Sequence, residues 1–201
     1  MNSTGANDER ARIGEIWLFR HGETEWSAVG RHTGRNDLPL SPVGEDQAEE
    51  LRARIAGTTF DRVICSPLQR AAATCRIAGY LEQAEIDPDT MEWNYGDYEG
   101  RTTTEIRVER PGWLIWNDGV NGGETITDVG ARADRVLTHI RGDVDAGRRV
   151  AVFAHGHFLR ILTARWLEQP PVFAAHIGLS PARVSVLGFE HETPVIIRWN
   201  T

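Results

Sequence analysis

The sequence predicts a layered α/β fold, because segments typical of strands alternate with segments typical of helices along the chain. A second observation is that polar side chains follow directly after several predicted strands, where ligand sites lie in open α/β sheets. The third is size: 201 residues, 40% of them hydrophobic and 25% charged, suffice for one domain with a full core. We therefore expect a single domain over residues 13–201, preceded by a flexible N-terminal tail over residues 1–12.

The predicted strands are short apolar runs, and the predicted helices show a 3.6-residue apolar period or capping signals. The strands lie at 13–19, 63–65, 150–154, 184–189 and 195–199, and a turn at 191–194 joins the last two. The helices lie at 41–56, 67–79, 105–109, 125–140 and 158–167. We expect the closing pair of strands either to end the sheet or to form the edge of a homodimer.

Two of these helices carry clear start or stop signals. Ser41 is the expected N-cap of the first helix, Pro42 fits its first turn, and Glu45 is expected to complete a capping box. The second helix is expected to begin after Ser66 and to end at Gly79.

Composition and charge argue against several classes of protein. The formal net charge of −7 disfavours wholesale nucleic-acid binding, which usually requires a basic surface. No apolar run reaches the ~18 residues that a membrane span needs, and the polar start of the chain lacks the apolar core of a secretory signal. The two cysteines, Cys65 and Cys75, are predicted to be buried free thiols. We therefore expect a cytoplasmic protein without nucleic-acid or membrane partners.

The most informative stretch contains Arg20, His21 and Gly22, directly after the first predicted strand. A neutral imidazole nitrogen can attack phosphorus and form a covalent intermediate, so His21 is the candidate nucleophile. Flanking arginines favour the neutral ring, because nearby positive charge lowers the pKa of a histidine. The other ring nitrogen then needs a fixed hydrogen-bond partner that sets the tautomer.

Other predicted strand ends carry side chains suited to a phosphate group. Arg20 and Arg70 are candidate phosphate clamps, because a guanidinium offers a planar fork that matches two phosphate oxygens. Arg70 is expected one turn into its helix, near the positive helix end. His155 follows the strand at 150–154 and, if protonated, would bind a phosphoryl oxygen as negative charge develops during transfer.

A phosphotransfer site also needs an acid that protonates the leaving oxygen and a base that activates water. Residues 91–100 offer Glu92, Asp97 and Glu99, which the residues alone leave nearly equal.

The surroundings of the site carry weaker expectations. His157 is expected to line the entrance, and Arg160 to pair with a carboxylate behind it. Trp113 and Trp116 are expected to cover the site. His155 and His157 form no recognised metal-binding pattern with other residues, so we expect no metal.

Taken together, these motifs resemble the histidine phosphatase superfamily, also called phosphoglycerate mutase-like, over residues 13–167. The segments that carry the resemblance are 20–24, 33–34, 37–41, 66–74, 92–100, 123–125 and 155–157. The resemblance implies a three-layer α/β/α sandwich with a mostly parallel central sheet. It also implies a phosphohistidine intermediate on His21, a phosphate pocket formed by Arg20, Arg70 and His155, Glu92 as the acid and base, and no metal. Because Glu92 must begin protonated, we expect an acidic optimum for the first step.

Within the superfamily, the chain is more similar to the small acid phosphatase and sedoheptulose bisphosphatase-like branch than to the mutases. Mutases have a longer segment before the Gly-Glu-Thr motif, with a basic cluster that holds the phosphoglycerate carboxylate. Here residues 101–122 are short and offer only Arg101, Arg107 and Arg110. Ser27 also stands where the mutases typically have asparagine.

We therefore expect a phosphomonoesterase that acts on a small phosphorylated metabolite without metal or cofactor. Two alternatives stay open: a cofactor-dependent phosphoglycerate mutase, and a non-catalytic protein that binds phosphorylated ligands. The resemblance implies a catalytic set of His21, Glu92, His155, Arg20 and Arg70. The expected substrate and phosphate contacts are Arg20, Arg70 and His155 together with Ser27, Thr33, Gly34, Tyr95 and His157.

Overall fold

A six-stranded sheet forms the centre of the computed structural model, which describes residues 14–201. The strands are β1 (Glu15–Arg20), β2 (Arg62–Cys65), β3 (Ala84–Ile86), β4 (Arg149–Ala154), β5 (Val184–Glu190) and β6 (Thr193–Arg198). The α-helices are α1 (Glu25–Ala28), α2 (Pro42–Arg54), α3 (Gln69–Ile77), α4 (Thr103–Glu109), α5 (Ile115–Asp118), α6 (Ile126–Asp145) and α7 (Gly156–Trp166). The tail predicted for residues 1–12 lies outside the described residues.

The sheet is mostly parallel, as predicted. Its strand order is β3-β2-β4-β1-β5-β6; the first four strands run parallel, and β5 and β6 are antiparallel to their neighbours. Each parallel pair requires a crossover, and helices α2, α3 and α6 lie within the crossovers that lead to β2, β3 and β4. Strand β6 forms one edge of the sheet, so the homodimer through this edge stays a prediction.

Alternating side chains give the sheet an apolar core on each face. Ile16 and Leu18 of β1 belong to one buried cluster, which includes apolar residues of α6 and α7. Trp17 and Phe19 belong to a second cluster, which includes residues of α2 and α3. Successive side chains of a strand point to opposite faces, so helices cover both sides of the sheet. The predicted three-layer arrangement is confirmed.

The structure corrects the predicted capping of α2 and the predicted start of α3. Ser41 does cap α2, and its hydroxyl accepts the N–H of Gly44 at 3.1 Å. The expected capping box with Glu45 is wrong, because the position that would return the bond is Gly44, which has no side chain. Helix α3 begins at Gln69 rather than at residue 67, and an Asp37 carboxylate oxygen accepts the N–H of Gln69 at 2.7 Å.

Several short elements have too little pattern to be predicted. Helices α1 and α5 have four residues each, and strand β3 has three. Segments this short cannot show a repeating apolar pattern, which is recognised only over several periods. Cys65 and Cys75 are buried and free, as predicted. Across residues 14–201, no helix combines the length and apolarity needed to cross a membrane.

The parallel strands bring their polar ends to one edge of the sheet. The register pairs Arg20 with Ala154 and Cys65 with Phe153, so the carboxyl ends of β1, β4 and β2 lie level. The residues that follow these ends are His21, His155 and Ser66. The convergence expected from the sequence is thus a consequence of parallel pairing among three adjacent strands.

Candidate active site

A cleft of about 260 Å³ opens at the carboxyl edge of the parallel strands. Its lining comes from β1, from the loop after α1, from the loop before the turn at Gly96–Tyr98, and from α7. The lining residues are Arg20, His21, Ser27, Gly30, Arg31, His32, Thr33, Glu92, Tyr95, Thr103, Gly156, His157, Arg160 and Leu179. Arg70 and His155 lie behind His21 and contact it, whereas Gly34 lies outside the lining.

The His21 ring is held in one tautomer. Its Nδ1 lies 2.6 Å from the carbonyl oxygen of Gly22, which can only accept, so Nδ1 carries the proton. The lone pair is therefore on Nε2, and the Nε of Arg70 donates to it at 3.3 Å. Burial lowers the pKa of His21 well below its usual value, and the charges of Arg70 and Arg20 lower it further. The ring is therefore neutral, and His21 lines the cleft.

The Arg70 side chain is fully buried and holds the neighbouring loop. Its Nη1 donates to the carbonyl of Asn36 at 2.9 Å, and its Nη2 donates to the carbonyls of Thr33 and Gly34 at 3.1 and 2.8 Å. Burial lowers the pKa of Arg70, yet a guanidinium stays charged in proteins. A fixed positive charge thus stands beside His21.

Arg20 supplies a second cation, and one of its N–H donors has no partner within residues 14–201. Its Nη1 donates to the carbonyl of Leu179 at 2.6 Å, whereas its buried Nε has no hydrogen-bond partner within residues 14–201. Gly156 leaves room for this side chain, because a Cβ there would lie 3.3 Å from the guanidinium carbon. A buried donor without a partner is unfavourable, and an anion beside His21 would satisfy it.

His155 is neutral in this arrangement, which differs from the protonated ring considered from the sequence. Its Nε2 lies 2.7 Å from the Ser66 hydroxyl, and its Nδ1 is buried without a partner among the described residues. Burial lowers the pKa of His155 well below its usual value, and Arg70, His21 and Arg20 add to that shift. It can still donate to a phosphoryl oxygen through Nδ1–H if the Ser66 hydroxyl donates to Nε2.

Glu92 lines the cleft, and its carboxylate caps the N-terminus of α7 from outside the helix. Its Oε1 accepts the backbone N–H groups of Trp93 and Phe158, both at 2.9 Å, and its Oε2 accepts the N–H of His157 at 3.0 Å. His155 is the N-cap residue of α7 but makes no side-chain cap bond. The helix N-terminus therefore positions the Glu92 carboxylate beside the cleft.

Glu99 has a different role from Glu92. Its carboxylate accepts the backbone N–H groups of Gly34 at 3.0 Å and Arg35 at 2.9 Å, together with the side-chain amide of Asn36 at 3.0 Å. These bonds hold the loop whose carbonyls accept from Arg70. Neither Glu99 nor Asp97 lines the cleft, so the structure separates three carboxylates that the residues alone left nearly equal.

One wall of the cleft is formed by the aromatic rings of His32, Tyr95 and His157, and the sequence predicted only part of it. Burial raises the pKa of Tyr95 and lowers that of His157, so the neutral Tyr95 hydroxyl donates to His157 Nδ1 at 2.5 Å. His32 packs on Tyr95 with ring centroids 4.9 Å apart, and its buried Nε2 has no partner within the described part of the chain. The lining residues missed from the sequence are Gly30, Arg31, His32, Thr103 and Leu179. Lying in irregular segments or at a helix end, they carry no periodic signal.

Two expectations about the wall need correction. Arg160 lines the cleft itself, and its guanidinium bonds to backbone carbonyls and lies 4.3 Å from the Trp116 ring centroid. The expected carboxylate partner is therefore wrong as far as residues 14–201 are concerned. Trp116 and Trp113 do not cover the cleft: Trp116 packs behind His157 at 4.8 Å, and Trp113 lies edge-on to His32. Their large rings support the wall from behind.

Known proteins share both the sequence pattern and the backbone. The model of the histidine phosphatase superfamily (branch 1) matches residues 16–201. The chain is 38% identical over 178 residues to an acid phosphatase of Mycobacterium tuberculosis, covering 88% of this chain and 87% of that protein. It is 37% identical to sedoheptulose 1,7-bisphosphatase of Saccharomyces cerevisiae, covering 74% of this chain and 66% of that protein.

The fold comparison agrees with the sequence comparison. The solved structure of an open reading frame product from Mycobacterium tuberculosis superposes with a TM-score of 0.89 at 34% identity, covering 94% of this chain and 98% of that chain. The chain therefore belongs to the histidine phosphatase superfamily and is a phosphoric monoester hydrolase.

Proposed function

We propose that this enzyme hydrolyses a small phosphorylated metabolite through a phosphohistidine formed at Nε2 of His21. The observation that carries the proposal is the state of the His21 ring: Nδ1–H is bound to Gly22, and Nε2 is neutral between two arginines. Such a nitrogen is a nucleophile aimed at a site that attracts phosphate. Arg20 and Arg70 supply the positive charge that phosphoryl transfer needs, so the proposal requires no metal.

In the first step, Nε2 of His21 forms a bond to phosphorus while the ester P–O bond breaks. Glu92 gives its proton to the leaving oxygen. Oε2 is the proposed proton carrier, because it accepts one backbone N–H whereas Oε1 accepts two. Arg20 Nε and His155 Nδ1, both buried without partners within residues 14–201, are the proposed donors to phosphoryl oxygens.

In the second step, a water oxygen attacks phosphorus and the P–N bond breaks. The Glu92 carboxylate, which lost its proton in the first step, takes one from that water. His21 leaves as a neutral imidazole and inorganic phosphate is released. Each group thus returns to its starting protonation state.

Trapping the intermediate tests the nucleophile. Brief mixing with a ³²P-labelled ester should label the protein with an acid-labile, alkali-stable phosphate. His21→Ala should abolish the label, whereas His139→Ala, at an exposed histidine outside the cleft, should retain it. Label that persists in His21→Ala would disprove the assignment.

Leaving-group dependence tests Glu92. Glu92→Gln should lower kcat/KM for an alkyl ester such as glycerol 3-phosphate by about 10²–10⁴-fold, because its poor leaving group needs a proton. The same variant should change kcat/KM for p-nitrophenyl phosphate far less, since nitrophenolate leaves unprotonated. Asp97→Asn is the matched control and should leave both values near wild type. Equal losses for the two esters in Glu92→Gln would contradict the acid role.

The arginines of residues 101–122 favour hydrolysis over the mutase alternative. Arg101 pairs with Glu109, Arg107 donates to the carbonyl of Trp113, and Arg110 donates to the Tyr98 hydroxyl. None of the three lines the cleft. Incubation with 3-phosphoglycerate and a trace of 2,3-bisphosphoglycerate should therefore release phosphate. Rapid formation of 2-phosphoglycerate without free phosphate would establish the mutase, and tight ester binding without turnover would establish a binding protein.

A further inference from the structure

A single backbone carbonyl orients the guanidinium of Arg20. The carbonyl oxygen of Leu179 accepts the Nη1–H of Arg20 at 2.6 Å, and Leu179 lines the cleft. Within residues 14–201 this is the one hydrogen bond of the guanidinium, and its Nε–H has no partner there. The direction of that Nε–H donor therefore depends on where the Leu179 carbonyl lies.

The Leu179 carbonyl lies in a segment without regular structure before β5, which we call the 177–183 loop. Among the described residues, 178–181 make no backbone-to-backbone hydrogen bond, and the bond from the Ala182 N–H to the carbonyl of Arg20 comes only three residues after Leu179. The Leu179 side chain is buried, but apolar packing is not directional and does not fix where the carbonyl points. Polar contacts from outside the loop must therefore fix it.

Two side chains that follow β6 bind the loop on both sides of Leu179. Before it, the Nε1–H of Trp199 donates to the carbonyl of Gly178 at 2.6 Å. After it, Asn200 Oδ1 accepts the backbone N–H of Ser180 at 2.8 Å, and Asn200 Nδ2 donates to the Ser180 hydroxyl at 3.2 Å. Hydrogen bonds are directional, so these contacts fix the peptide groups on either side of Leu179.

The bond to Asn200 bears directly on the Leu179 carbonyl, because its donor belongs to the same peptide group. The N–H of Ser180 and the C=O of Leu179 lie in one planar unit and point in opposite directions. Asn200 accepts from one end of this unit, and Arg20 donates to the other end. A rotation of the peptide group would break both bonds, so the positions of Asn200 and Arg20 are coupled through one rigid plane.

Asn200 is itself fixed to the sheet that carries Arg20. Its φ is 55°, in the left-handed region that asparagine adopts more readily than most residues. Its backbone N–H donates to the buried hydroxyl of Ser185 at 3.0 Å, and Thr201 pairs with Val184 through two backbone hydrogen bonds. Ser185 and Val184 belong to β5, which pairs with β1. Asn200 thus holds the 177–183 loop from a fixed position.

We infer that Asn200 and Trp199 are positioning residues for the reaction, because they hold the Leu179 carbonyl where it orients the Arg20 guanidinium. Neither residue lines the cleft. The inference rests on the proposed contact between Arg20 and the transferring phosphoryl group. It adds that this contact depends on side chains from a distant part of the chain.

Asn200→Gly tests the inference, because it removes both side-chain bonds to Ser180 and keeps a left-handed backbone that glycine adopts freely. The variant should lower kcat/KM for p-nitrophenyl phosphate by about 10- to 100-fold, since a displaced guanidinium stabilises the transferring group less. The constant for competitive inhibition by orthovanadate, which mimics that group, should rise by a similar factor. An inhibition constant reports only on folded enzyme, so partial unfolding of a variant does not change it.

Three further variants show which bonds matter. Asn200→Asp should stay within about threefold of wild type, because a carboxylate accepts both the N–H and the O–H of Ser180. Trp199→Phe keeps the ring but loses the donor to Gly178, so it should shift both constants in the same direction as Asn200→Gly. Thr201→Ala is the matched control: it removes a hydroxyl that donates to the Val184 carbonyl at 3.2 Å, outside the 177–183 loop, and should leave both constants near wild type.

A double-variant cycle shows whether Asn200 acts through Arg20. Arg20→Met alone should lower kcat/KM by about 10²–10³-fold. When Asn200→Gly is added to Arg20→Met, the further loss should be less than about threefold, because the group that Asn200 positions is already absent. A role of Asn200 in folding alone would instead cost the same factor in both backgrounds.

Three results would overturn the inference. The first is an additive loss when Asn200→Gly is combined with Arg20→Met. The second is wild-type inhibition by orthovanadate in both Asn200→Gly and Trp199→Phe. The third is a loss in Asn200→Asp as large as that in Asn200→Gly. Failure of the proposed function of Arg20 would look different, because Arg20→Met would then keep the kcat/KM of wild type.

Discussion

At the scale of single residues, the site depends on which polar atoms have partners. His21 Nδ1 donates to the Gly22 carbonyl and its Nε2 accepts from Arg70, whereas Arg20 Nε and His155 Nδ1 have no partner within residues 14–201. Glu92 and Glu99 are both loop carboxylates bound by backbone N–H groups, yet only Glu92 reaches the cleft. The residue types predicted which side chains form the site, but their hydrogen-bond partners determine what each side chain can do there.

Acid should destabilise the protein through its buried histidines. The native pKa values of His21 and His155 lie below those of the unfolded chain, so below about pH 6.5 the unfolded state binds more protons. Stability then falls as pH decreases, by at most about 1.4 kcal/mol per pH unit for each ring. Urea unfolding between pH 5.5 and 7 gives the free energy of unfolding as a function of pH. The slope of that free energy against pH should be shallower in His155→Gln, and shallower still when His21→Gln is added. An unchanged slope would contradict neutral buried rings.

Gly34 should tolerate no side chain. A Cβ there would lie 2.0 Å from Glu99 Oε1 and 2.3 Å from the carbonyl oxygen of Trp93, and the carbonyl cannot move freely. Gly34→Ala should cost about 1–3 kcal/mol and lower activity, because this loop accepts from Arg70. The control is Gly142→Ala on the open surface of α6, which should gain about 0.5–1 kcal/mol. Urea denaturation measures both variants. A free energy of unfolding that is higher for Gly34→Ala than for Gly142→Ala would contradict this packing.

At the scale of elements, helices α6 and α7 hold the loop that carries Glu92 from two sides. The N-terminus of α7 donates to the Glu92 carboxylate. From α6, Arg132 donates to the carbonyls of Asp89 and Met91 at 2.6 and 2.7 Å and forms a two-point ion pair with Glu124. Helix periodicity predicted α6 and α7, but it could not show that both bind the same loop.

Substitution of Arg132, alone and together with Glu124, should show that stability and activity depend on Arg132 through different contacts. Arg132→Met should cost about 3–5 kcal/mol, because it leaves the Glu124 carboxylate partly buried without its main partner. Adding Glu124→Met should restore part of that stability, since two apolar side chains replace the broken pair. Activity should stay low in the double variant, because the loop carbonyls still lack their donor.

The two quantities are measured by urea unfolding and by kcat with one ester. Recovery of kcat in the double variant, in parallel with stability, would show that Arg132 acts only through the ion pair. Persistent loss of kcat at restored stability would support its role in holding the loop that carries Glu92.

At the scale of the whole molecule, one sheet separates two apolar cores. Trp17 lies in the cluster beneath α2 and α3, whereas Trp93 lies in the cluster beneath α6 and α7. Both clusters use side chains from the same strands, β1 and β4. Losing either core would leave β1 and β4 covered on one face only, which removes support from the other core, so we expect the two to be lost together.

Equilibrium unfolding should therefore be a single transition. Far-UV circular dichroism and tryptophan fluorescence should give the same midpoint in urea. Trp17→Phe, which removes the reporter of one core, should leave those two midpoints coincident. Two separated transitions would indicate that the layers unfold independently and would contradict the single domain predicted over residues 13–201.

The α/β class, the main strands and helices, and the Arg20-His21 pair at a strand end could all be predicted from the amino-acid sequence alone. These follow from apolar periodicity and local order along the chain, which are visible without a structure. Long-range packing set the hydrogen-bond partners of Glu92, the tautomer of His21 and the neutral state of His155. These properties depend on burial and on partners far away in the chain, such as the Phe158 N–H that binds Glu92 across 66 positions. No local pattern encodes such a contact, because folding alone brings the two groups together.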